Sequence, residues 1–166
     1  LSAGFLNVTP ILLSFYLGFA DRDSVARRFI RFFYHGRRLS ELEKAAEKYL
    51  AERLPGLMNK DVYDCFLKHQ AQNDTVAVVS ASPFIWLVPW CRDNNAALIC
   101  TRLDVKNDII DGNVVGERCI GKEKVIRIKQ EYCLDDYDRI YAYGNSDGDI
   151  QMLEMADQAF YFNGSS

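Results

Sequence analysis

The sequence has no closely spaced CxxC pair, although its 166 residues include five cysteines. The cysteines are odd in number and lie far apart, at Cys65, Cys91, Cys100, Cys119 and Cys133. This spacing argues against a disulfide framework and against a zinc site, and it favours a reducing, cytoplasmic location.

An excess of positive charge is also absent. The chain has 20 Lys and Arg residues against 23 Asp and Glu residues, a formal net charge of -3, which predicts no general affinity for nucleic acid. Repeats and low-complexity segments are absent too. Because 49% of the residues are apolar, we expect a compact domain with a substantial core.

The run from Leu1 to Ala20 contains no charged residue and has the length of a membrane span. Asn7, Thr9 and Pro10 weaken that interpretation, although prolines are tolerated in membrane helices. No basic segment precedes the run, so it does not resemble a signal peptide. We interpret it as helices that pack on one another and expect no membrane partner, with membrane association as the alternative.

The first part of the chain has the spacing of helices. They are predicted around Ile11 and over residues 24–34, 40–54 and 60–72. Ser40 and Glu43 form the pattern of a capping box at the start of the third helix, and Pro55 with Gly56 is expected to stop it.

From Thr75 onward, strands alternate with helices, which is typical of a parallel α/β fold. The predicted strands cover residues 75–80, 97–101, 139–143 and 159–162. A polar, glycine-containing stretch over residues 105–115 predicts a β-hairpin.

The stretch from Val76 to Pro83 is the most informative part of the chain. Its apolar residues do not alternate with polar ones, which predicts a strand buried on both faces. Ser80 would then lie at the carboxyl end of this strand, where open α/β sheets bind their ligands. Pro83 suits the first position of a following helix. An ordinary βα turn would have the same features.

Two later segments add to this pattern. Residues 121–128, which contain a GxxKV sequence, predict a helix that begins near a lysine. The strand at residues 139–143 runs into residues 144–153, an acidic, glycine-rich turn that opens a helix. Together the three segments resemble motifs two, three and four of the haloacid dehalogenase (HAD) superfamily. They are most similar to its phosphoserine-phosphatase-like branch, subfamily IB, in which SASP, GxxKV and YG(D/N)SxGDxxML sequences recur.

The resemblance covers nearly the whole chain, and it implies both a fold and an activity. The fold would be a three-layer, Rossmann-like α/β core with a parallel sheet, at residues 74–166, and an all-helical cap at residues 1–73. The activity would be Mg2+-dependent hydrolysis of a phosphomonoester, a small phosphorylated metabolite, through an aspartyl-phosphate intermediate.

The resemblance also implies roles for particular residues. A transferred phosphoryl group carries negative charge on its oxygens, so catalysis depends mostly on positioning and charge stabilisation. The Ser80 hydroxyl and the amides of Ala81 and Ser82 would bind the phosphate. Lys124 would neutralise it, and Lys122 is the competing lysine, but Lys124 matches the KV pair of the family.

Asn145 and Asp149 match the two acidic positions of the fourth motif, which implies that they help to hold Mg2+ and that Asp149 is catalytic. The family usually has aspartate at the first position. Asparagine still offers a carbonyl oxygen but removes one negative charge, which should weaken metal binding. Asp147 either compensates for that loss or faces water.

The aspartate pair of the first motif, DxDx(T/V), is expected on the first strand of the core. Asp21 and Asp23 match these letters, but the residues that follow have helical spacing, so we predict a helix N-cap instead. The start at Leu1 resembles a position inside the cap. We therefore expect this chain to lack the first strand and its nucleophile.

Three functions remain open on these grounds. The first is the phosphatase, and the second is a catalytically impaired pseudoenzyme or binding module, as the apparent lack of the first motif and Asn145 would suggest. The third is a membrane-associated lipid-phosphate phosphatase. Five arginines crowd a short stretch of the cap: Arg27, Arg28, Arg31, Arg37 and Arg38. By default they would form a solvated helix face. Alternatively, some of them would draw an anionic substrate to the cleft between core and cap.

Overall fold

The structure, a computed structural model, describes residues 21–162. Its helices are α1 (Arg22–Tyr34), α2 (Leu39–Glu52), α3 (Lys60–Ala71), α4 (Val88–Asp93), α5 (Lys122–Glu131) and α6 (Ile150–Met155). Its strands are β1 (Ala77–Pro83), β2 (Ala97–Thr101), β3 (Leu103–Lys106), β4 (Ile109–Val114), β5 (Tyr141–Gly144) and β6 (Gln158–Tyr161). Short 3-10 turns occupy Leu54–Gly56, Phe84–Trp86, Leu134–Asp136 and Asp147–Asp149.

The strands form three pairs. β1 pairs with β2 and β5 pairs with β6, both in parallel, whereas β3 and β4 form an antiparallel hairpin. These pairings agree with the predicted α/β fold and hairpin. Between residues 21 and 162, β1 and β5 are not hydrogen-bonded to each other, which is the arrangement expected if another strand belongs between them.

Two apolar clusters hold these elements together. One joins β2, β5, α5 and α6 through the buried side chains of Ile99, Cys119, Ile128, Ala142, Met152 and Leu153. The other joins α1 to the hairpin and to the turn after β1 through Ile30, Ile85, Leu103 and Ile110. Val79 of β1 also packs against the first cluster, so β1 and β5 share a core, and the second cluster fixes α1 over the hairpin.

The predicted capping box at Ser40 is wrong. Helix α2 begins at Leu39, so Ser40 lies inside its first turn and the N-cap is Arg38, which makes no side-chain cap bond. The Ser40 amide and hydroxyl instead donate to the carboxylate of Asp108, at 2.9 and 2.8 Å. Asp108 lies in the β3–β4 turn, so a residue distant in sequence satisfies the helix terminus.

The prediction that Pro83 starts a helix is also wrong. Pro83 ends β1, where it pairs with Thr101 after an irregularity in the register that follows Ser80. The helical geometry begins only with the 3-10 turn at Phe84. Proline is tolerated at this position because the bulged end of the strand requires no amide donor there.

Neither the predicted helix around Ile11 nor the apolar run from Leu1 to Ala20 can be compared with the structure, because both lie outside the described residues. Within the described part, no helix has the length and apolarity needed to cross a membrane.

Gly112 allows α1 to lie close to β4. Its φ angle is +82°, and a Cβ atom at this position would lie 2.9 Å from Cβ and 3.1 Å from Cα of His35. Gly112→Ala should lower the free energy of unfolding by about 2 to 5 kcal/mol, the sum of backbone strain and overpacking. Chemical denaturation would measure the loss.

Gly116 provides the matched control for this substitution. Its φ angle is +70°, but a Cβ atom there would meet nothing within 4 Å. Gly116→Ala should therefore show only the backbone cost, about 1 to 2 kcal/mol. Equal losses at the two positions would contradict the close packing of α1 on β4.

Candidate active site

A groove of about 1480 Å3 runs between β1 and β5. The residues predicted from the second, third and fourth motifs all line it: Ser80, Ala81, Ser82, Lys124, Asn145 and Asp149. The groove has this lining because β1, β5 and the start of α5 meet at one end of the core. The structure thus brings together segments that are far apart in the sequence.

Lys124 is the buried cation of this groove. Its side chain is 6% exposed, and its Nζ donates to the Val79 carbonyl at 2.9 Å and to Asp149 Oδ1 at 2.5 Å. Gly121, with φ +58°, is the N-cap of α5 and donates its amide to the Gly148 carbonyl at 2.9 Å. This bond ties the start of α5 to the acidic turn, which places the lysine against the aspartate.

Asp149 is held from both sides. Its Oδ2 accepts from the Ser146 amide and hydroxyl at 3.0 and 2.7 Å and from the Asn145 amide at 3.2 Å. Burial by itself raises the pKa of the Asp149 carboxyl, but the hydrogen bonds from Lys124 and Ser146 outweigh it, so the pKa lies below its ordinary value. Asp149 is therefore a carboxylate at neutral pH, paired with Lys124.

This pairing predicts a pH-dependent stability. Because the folded-state pKa of Asp149 is lower than the ordinary value of 3.8, its contribution is present above that value and is lost as the pH falls through the folded-state pKa. Asp149→Asn should lower the free energy of unfolding by about 3 to 5 kcal/mol near pH 7, since it leaves Lys124 buried without its counterion. Urea denaturation at several pH values would show this difference shrinking in acid.

Asp147→Asn is the matched control, because Asp147 lies in the same turn but is exposed. It should leave both the stability near pH 7 and its acid dependence almost unchanged. A difference between wild type and Asp149→Asn that stays constant down to strongly acidic pH would contradict the proposed ion pair.

The carboxyl end of β1 differs from the predicted phosphate loop. The Ser82 amide donates to Ser80 Oγ at 3.1 Å, so this amide is already used within the loop. Thr101, which sequence analysis missed, is fully buried and donates its hydroxyl to the Ala81 carbonyl at 2.8 Å while accepting from the Cys119 amide at 3.1 Å. Thr101 thereby links the end of β1 to the segment that leads into α5. The sequence feature that could have indicated this role is its place at the end of an apolar strand.

Asn145 and Asp149, the residues proposed for metal binding, differ in how many hydrogen bonds their side chains make. Asn145 is exposed, and its side chain makes no hydrogen bond within residues 21–162. Both oxygens of Asp149 are engaged, as described above. Among the described residues, no group of three or more His, Cys, Asp or Glu side chains could hold a metal ion. Asn145 thus offers one neutral oxygen beside the engaged carboxylate of Asp149.

The N-cap prediction for the DxD letters at the start of α1 is confirmed. Asp21 Oδ1 accepts from the amides of Asp23 and Ser24, both at 2.9 Å, and its other oxygen accepts from the Ser24 hydroxyl. Asp23 is paired with Arg27 at 2.5 Å and with Arg118 at 3.1 Å. Both carboxylates therefore serve the helix and its ion pairs.

Comparison with known proteins identifies the relatives of this chain. The profile of the haloacid dehalogenase-like hydrolase family matches residues 2–154. Protein CicA of Caulobacter vibrioides is 32% identical over 162 residues, which cover 96% of this chain and 72% of that protein.

Solved structures share the fold. A protein of unknown function from Bordetella pertussis Tohama I superposes with a TM-score of 0.79 and 20% identity, over 94% of this chain and 72% of that one. A probable phosphoserine phosphatase from Vibrio cholerae has a TM-score of 0.69 and 13% identity, over 95% of this chain and 47% of that one.

Proposed function

This chain belongs to the haloacid dehalogenase-like hydrolase family, and from that premise we propose that it forms the cap and phosphate-binding part of a Mg2+-dependent phosphomonoester hydrolase. Within the family it would stand in the phosphoserine-phosphatase-like subfamily IB. The substrate would be a small phosphorylated metabolite, and the protein would act in the cytoplasm, without a nucleic-acid or membrane partner.

The observation that carries this proposal is the buried ion pair of Lys124 and Asp149 at the end of β1. Burying two charges costs several kcal/mol per ion before their attraction is counted, so such a pair adds little to stability by itself. It lies in a groove beside Ser80, at the carboxyl end of a parallel strand. Charged pairs with a shifted pKa in such clefts are frequent at active sites.

Each residue would have a distinct part in the reaction. The Lys124 ammonium has three donors, of which the Val79 carbonyl and Asp149 take two, so within residues 21–162 one donor remains for a phosphate oxygen. Asp149 would keep this ammonium charged and in place. The Ser80 hydroxyl would donate to a second phosphate oxygen, and the amide of Ala81 could add another donor.

The attacking carboxylate would come from a DxDx(T/V) segment, as the family resemblance implies. Such a segment would place one aspartate against the phosphorus atom and a second one as proton shuttle. Asp21 and Asp23 are unsuited to this part because the N-cap and the arginine pairs occupy their oxygens.

The described residues supply only part of a magnesium site. Asn145 would give one oxygen, and Asp149 could bind the ion directly only by releasing Lys124 or the Ser146 turn. Bound Mg2+ would lower the negative charge of the phosphate. The roles given above to Ser80, Lys124 and Asp149 do not depend on it.

The test is hydrolysis of p-nitrophenyl phosphate by the protein extended upstream through a DxDx(T/V) segment. We expect turnover that a chelator removes and that added Mg2+ restores. Absence of hydrolysis with this ester and with a panel of phosphorylated metabolites would contradict the phosphatase assignment.

The second candidate is a binding module that has lost catalysis, and the neutral Asn145 favours it. Asn145→Asp separates the two functions, because it restores the charge that the family usually has at this position. In an active enzyme this substitution should lower the Mg2+ concentration needed for half-maximal turnover. In a binding module it should leave turnover at background.

A further inference from the structure

Three polar side chains form a hydrogen-bonded chain along the groove between β1 and β5. His69, near the end of α3, is bound at both ring nitrogens: Nδ1 lies 2.7 Å from Asp74 Oδ2, and Nε2 lies 2.8 Å from the Tyr143 hydroxyl. Asp74 lies between α3 and β1, whereas Tyr143 belongs to β5. All three residues line the groove. The two hydrogen bonds therefore connect the strands that the groove separates.

This link lies on one face of the sheet. Successive side chains of a strand point to opposite faces, so Tyr141 and Tyr143 share a face, and Ala142 points to the other one, where it packs with α5 and α6. The His69 ring lies over the face of the two tyrosines, with its centroid 4.9 Å from that of Tyr141 and 5.7 Å from that of Tyr143. A strand inserted in the plane of the sheet between β1 and β5 need not break this link.

The partners of His69 determine its tautomer. A carboxylate only accepts hydrogen bonds, so Nδ1 carries the proton that is donated to Asp74. In the neutral ring Nε2 is then an acceptor, and the Tyr143 hydroxyl donates to it. The side chain of His69 is 15% exposed, so little water competes for these bonds. His69 is thus fixed by Asp74 at one nitrogen and holds Tyr143 with the other.

The position of Tyr143 is transmitted to the acidic turn of the site. The next residue is Gly144, where a Cβ atom would lie only 2.7 Å from Cβ of Asp149. The end of β5 is therefore in close contact with Asp149, and Asn145 follows it directly in the sequence. Because tightly packed groups transmit strain to one another, a displacement of Tyr143 would also displace Asn145 and Asp149.

We propose that His69 is a positioning residue, which fixes the end of β5, and with it Asp149, relative to the phosphate-binding Ser80 of β1. The inference rests on the proposed phosphatase function and adds to it a residue outside the three motifs. Groups that act on a reacting atom must be held within about 0.5 Å of the productive geometry. His69 would thus act on turnover without touching the substrate.

Tyr143→Phe tests this role because it removes the bonded hydroxyl and keeps the ring, which stacks on Phe160 at 4.9 Å. In the protein extended upstream, this substitution should lower kcat for p-nitrophenyl phosphate about tenfold to hundredfold, the cost of a small misplacement. KM should stay nearly constant, because Ser80 lies on β1 and still binds the phosphate. His69→Leu should have the same effect, and the double variant should lose no more than either single one.

Tyr141→Phe is the matched control. It removes the same atom from the same face of β5, and the Tyr141 ring also contacts His69, but its hydroxyl makes no hydrogen bond within residues 21–162. This variant should keep the wild-type kcat. His69→Gln is the conservative variant: its side-chain amide can still accept from the Tyr143 hydroxyl, so it should restore most of the kcat that His69→Leu loses. A bond that serves stability alone would lower the unfolding temperature and leave kcat unchanged.

Nitrogen NMR of the imidazole tests the geometry without turnover. The chain has two histidines, so His35→Gln, at an exposed residue, leaves the signals of His69 alone. We expect the neutral ring of His69 to carry its proton on Nδ1, and Tyr143→Phe should shift the signal of Nε2. A neutral ring with its proton on Nε2 would contradict the bond to Asp74 and the proposal with it.

The outcomes separate this inference from the proposed function. If the ester is hydrolysed but neither Tyr143→Phe nor His69→Leu lowers kcat, the positioning role is wrong and the phosphatase stands. If no ester is hydrolysed, the phosphatase fails, and hydrogen exchange decides the inference. The amides of Asn145 and Ser146, which donate to Asp149, should exchange faster in Tyr143→Phe than in Tyr141→Phe. Equal exchange in the two variants would overturn the proposal.

Discussion

Lys124→Ala should lower turnover of p-nitrophenyl phosphate by about two to four orders of magnitude in the protein extended upstream, as does the loss of one preorganised donor in other enzymes. The lysine is 6% exposed and lies between the end of β1 and Asp149. Its charge would act in a site with little water, where it stabilises the phosphoryl group far more than it could in solvent. Steady-state kinetics would measure the loss.

Lys122→Ala is the control within the same turn of α5. Lys122 is exposed, so its removal should change turnover little. The reverse order of effects would move the catalytic assignment to Lys122 and would contradict the choice of Lys124 from the KV pair.

The loss of Lys124 also has a structural consequence that must be separated from the chemical one. Lys124→Ala leaves the Asp149 carboxylate buried and unpaired, which costs about 3 to 5 kcal/mol. Lys124→Met combined with Asp149→Asn removes both charges and keeps the volume nearly constant, so it should recover much of the stability. If the double variant folds well but remains inactive, the pair of Lys124 and Asp149 acts in catalysis and not only in folding.

Local sequence patterns predicted most of the fold because the strands are rich in residues that favour β-structure. β2 occupies residues 97–101, as predicted, and the hairpin at residues 103–114 includes most of the predicted stretch. These segments have β-branched residues or a turn with residues that tolerate positive φ, such as Asn107 and Asp108. Such signals do not depend on distant parts of the chain.

The errors arose where a distant residue replaced the local partner. Ser40 has the sequence of a cap, but Asp108 of the hairpin turn supplies the actual contact. Thr101 has only a weak local signal of its role, its place at the end of an apolar strand, and Arg118 has none. Their partners, Ala81 for the first and Asp23 for the second, come close only after the chain has folded.

The arrangement of the site was predictable to the extent that it follows from topology. The carboxyl ends of β1 and β5 meet at one groove, so Ser80 and Asp149 were expected near each other. Lys124 was expected there from the family resemblance and not from topology. The double engagement of Asp149 was not predicted, although Ser146 and Asp149 have the spacing of a capping box, which the structure forms. It depends on the 3-10 turn at Asp147–Asp149, which turns the carboxylate back onto the amides of Asn145 and Ser146.

Extension of the chain upstream through a DxDx(T/V) strand should change both activity and stability. In the 166-residue chain, β1 and β5 each lack a partner on their facing edges within the described residues. Such apolar edges bind other strands and promote aggregation. We expect the 166-residue chain to hydrolyse no p-nitrophenyl phosphate above background and to be less stable than the extended form, or to aggregate.

Hydrogen exchange provides the structural test of this expectation. A strand inserted between β1 and β5 would bond to both edges, since neighbouring strands lie about 4.8 Å apart. Amides of Val79 and Tyr143, which face the groove and not β2 or β6, should then exchange much more slowly in the extended form than in the 166-residue chain. Residues of the β3–β4 hairpin, such as Val105, should change little and serve as the internal control.

Two results would contradict the expected strand. One is a well-folded monomer of the 166-residue chain in which β1 and β5 pair directly, because no room would remain for the DxDx(T/V) segment. The other is turnover by the 166-residue chain that Asp21→Asn abolishes, which would make Asp21 the nucleophile despite its N-cap bonds to Asp23 and Ser24. Since a nucleophile must have a free oxygen near the phosphate, Asp21 would then have to leave the start of α1.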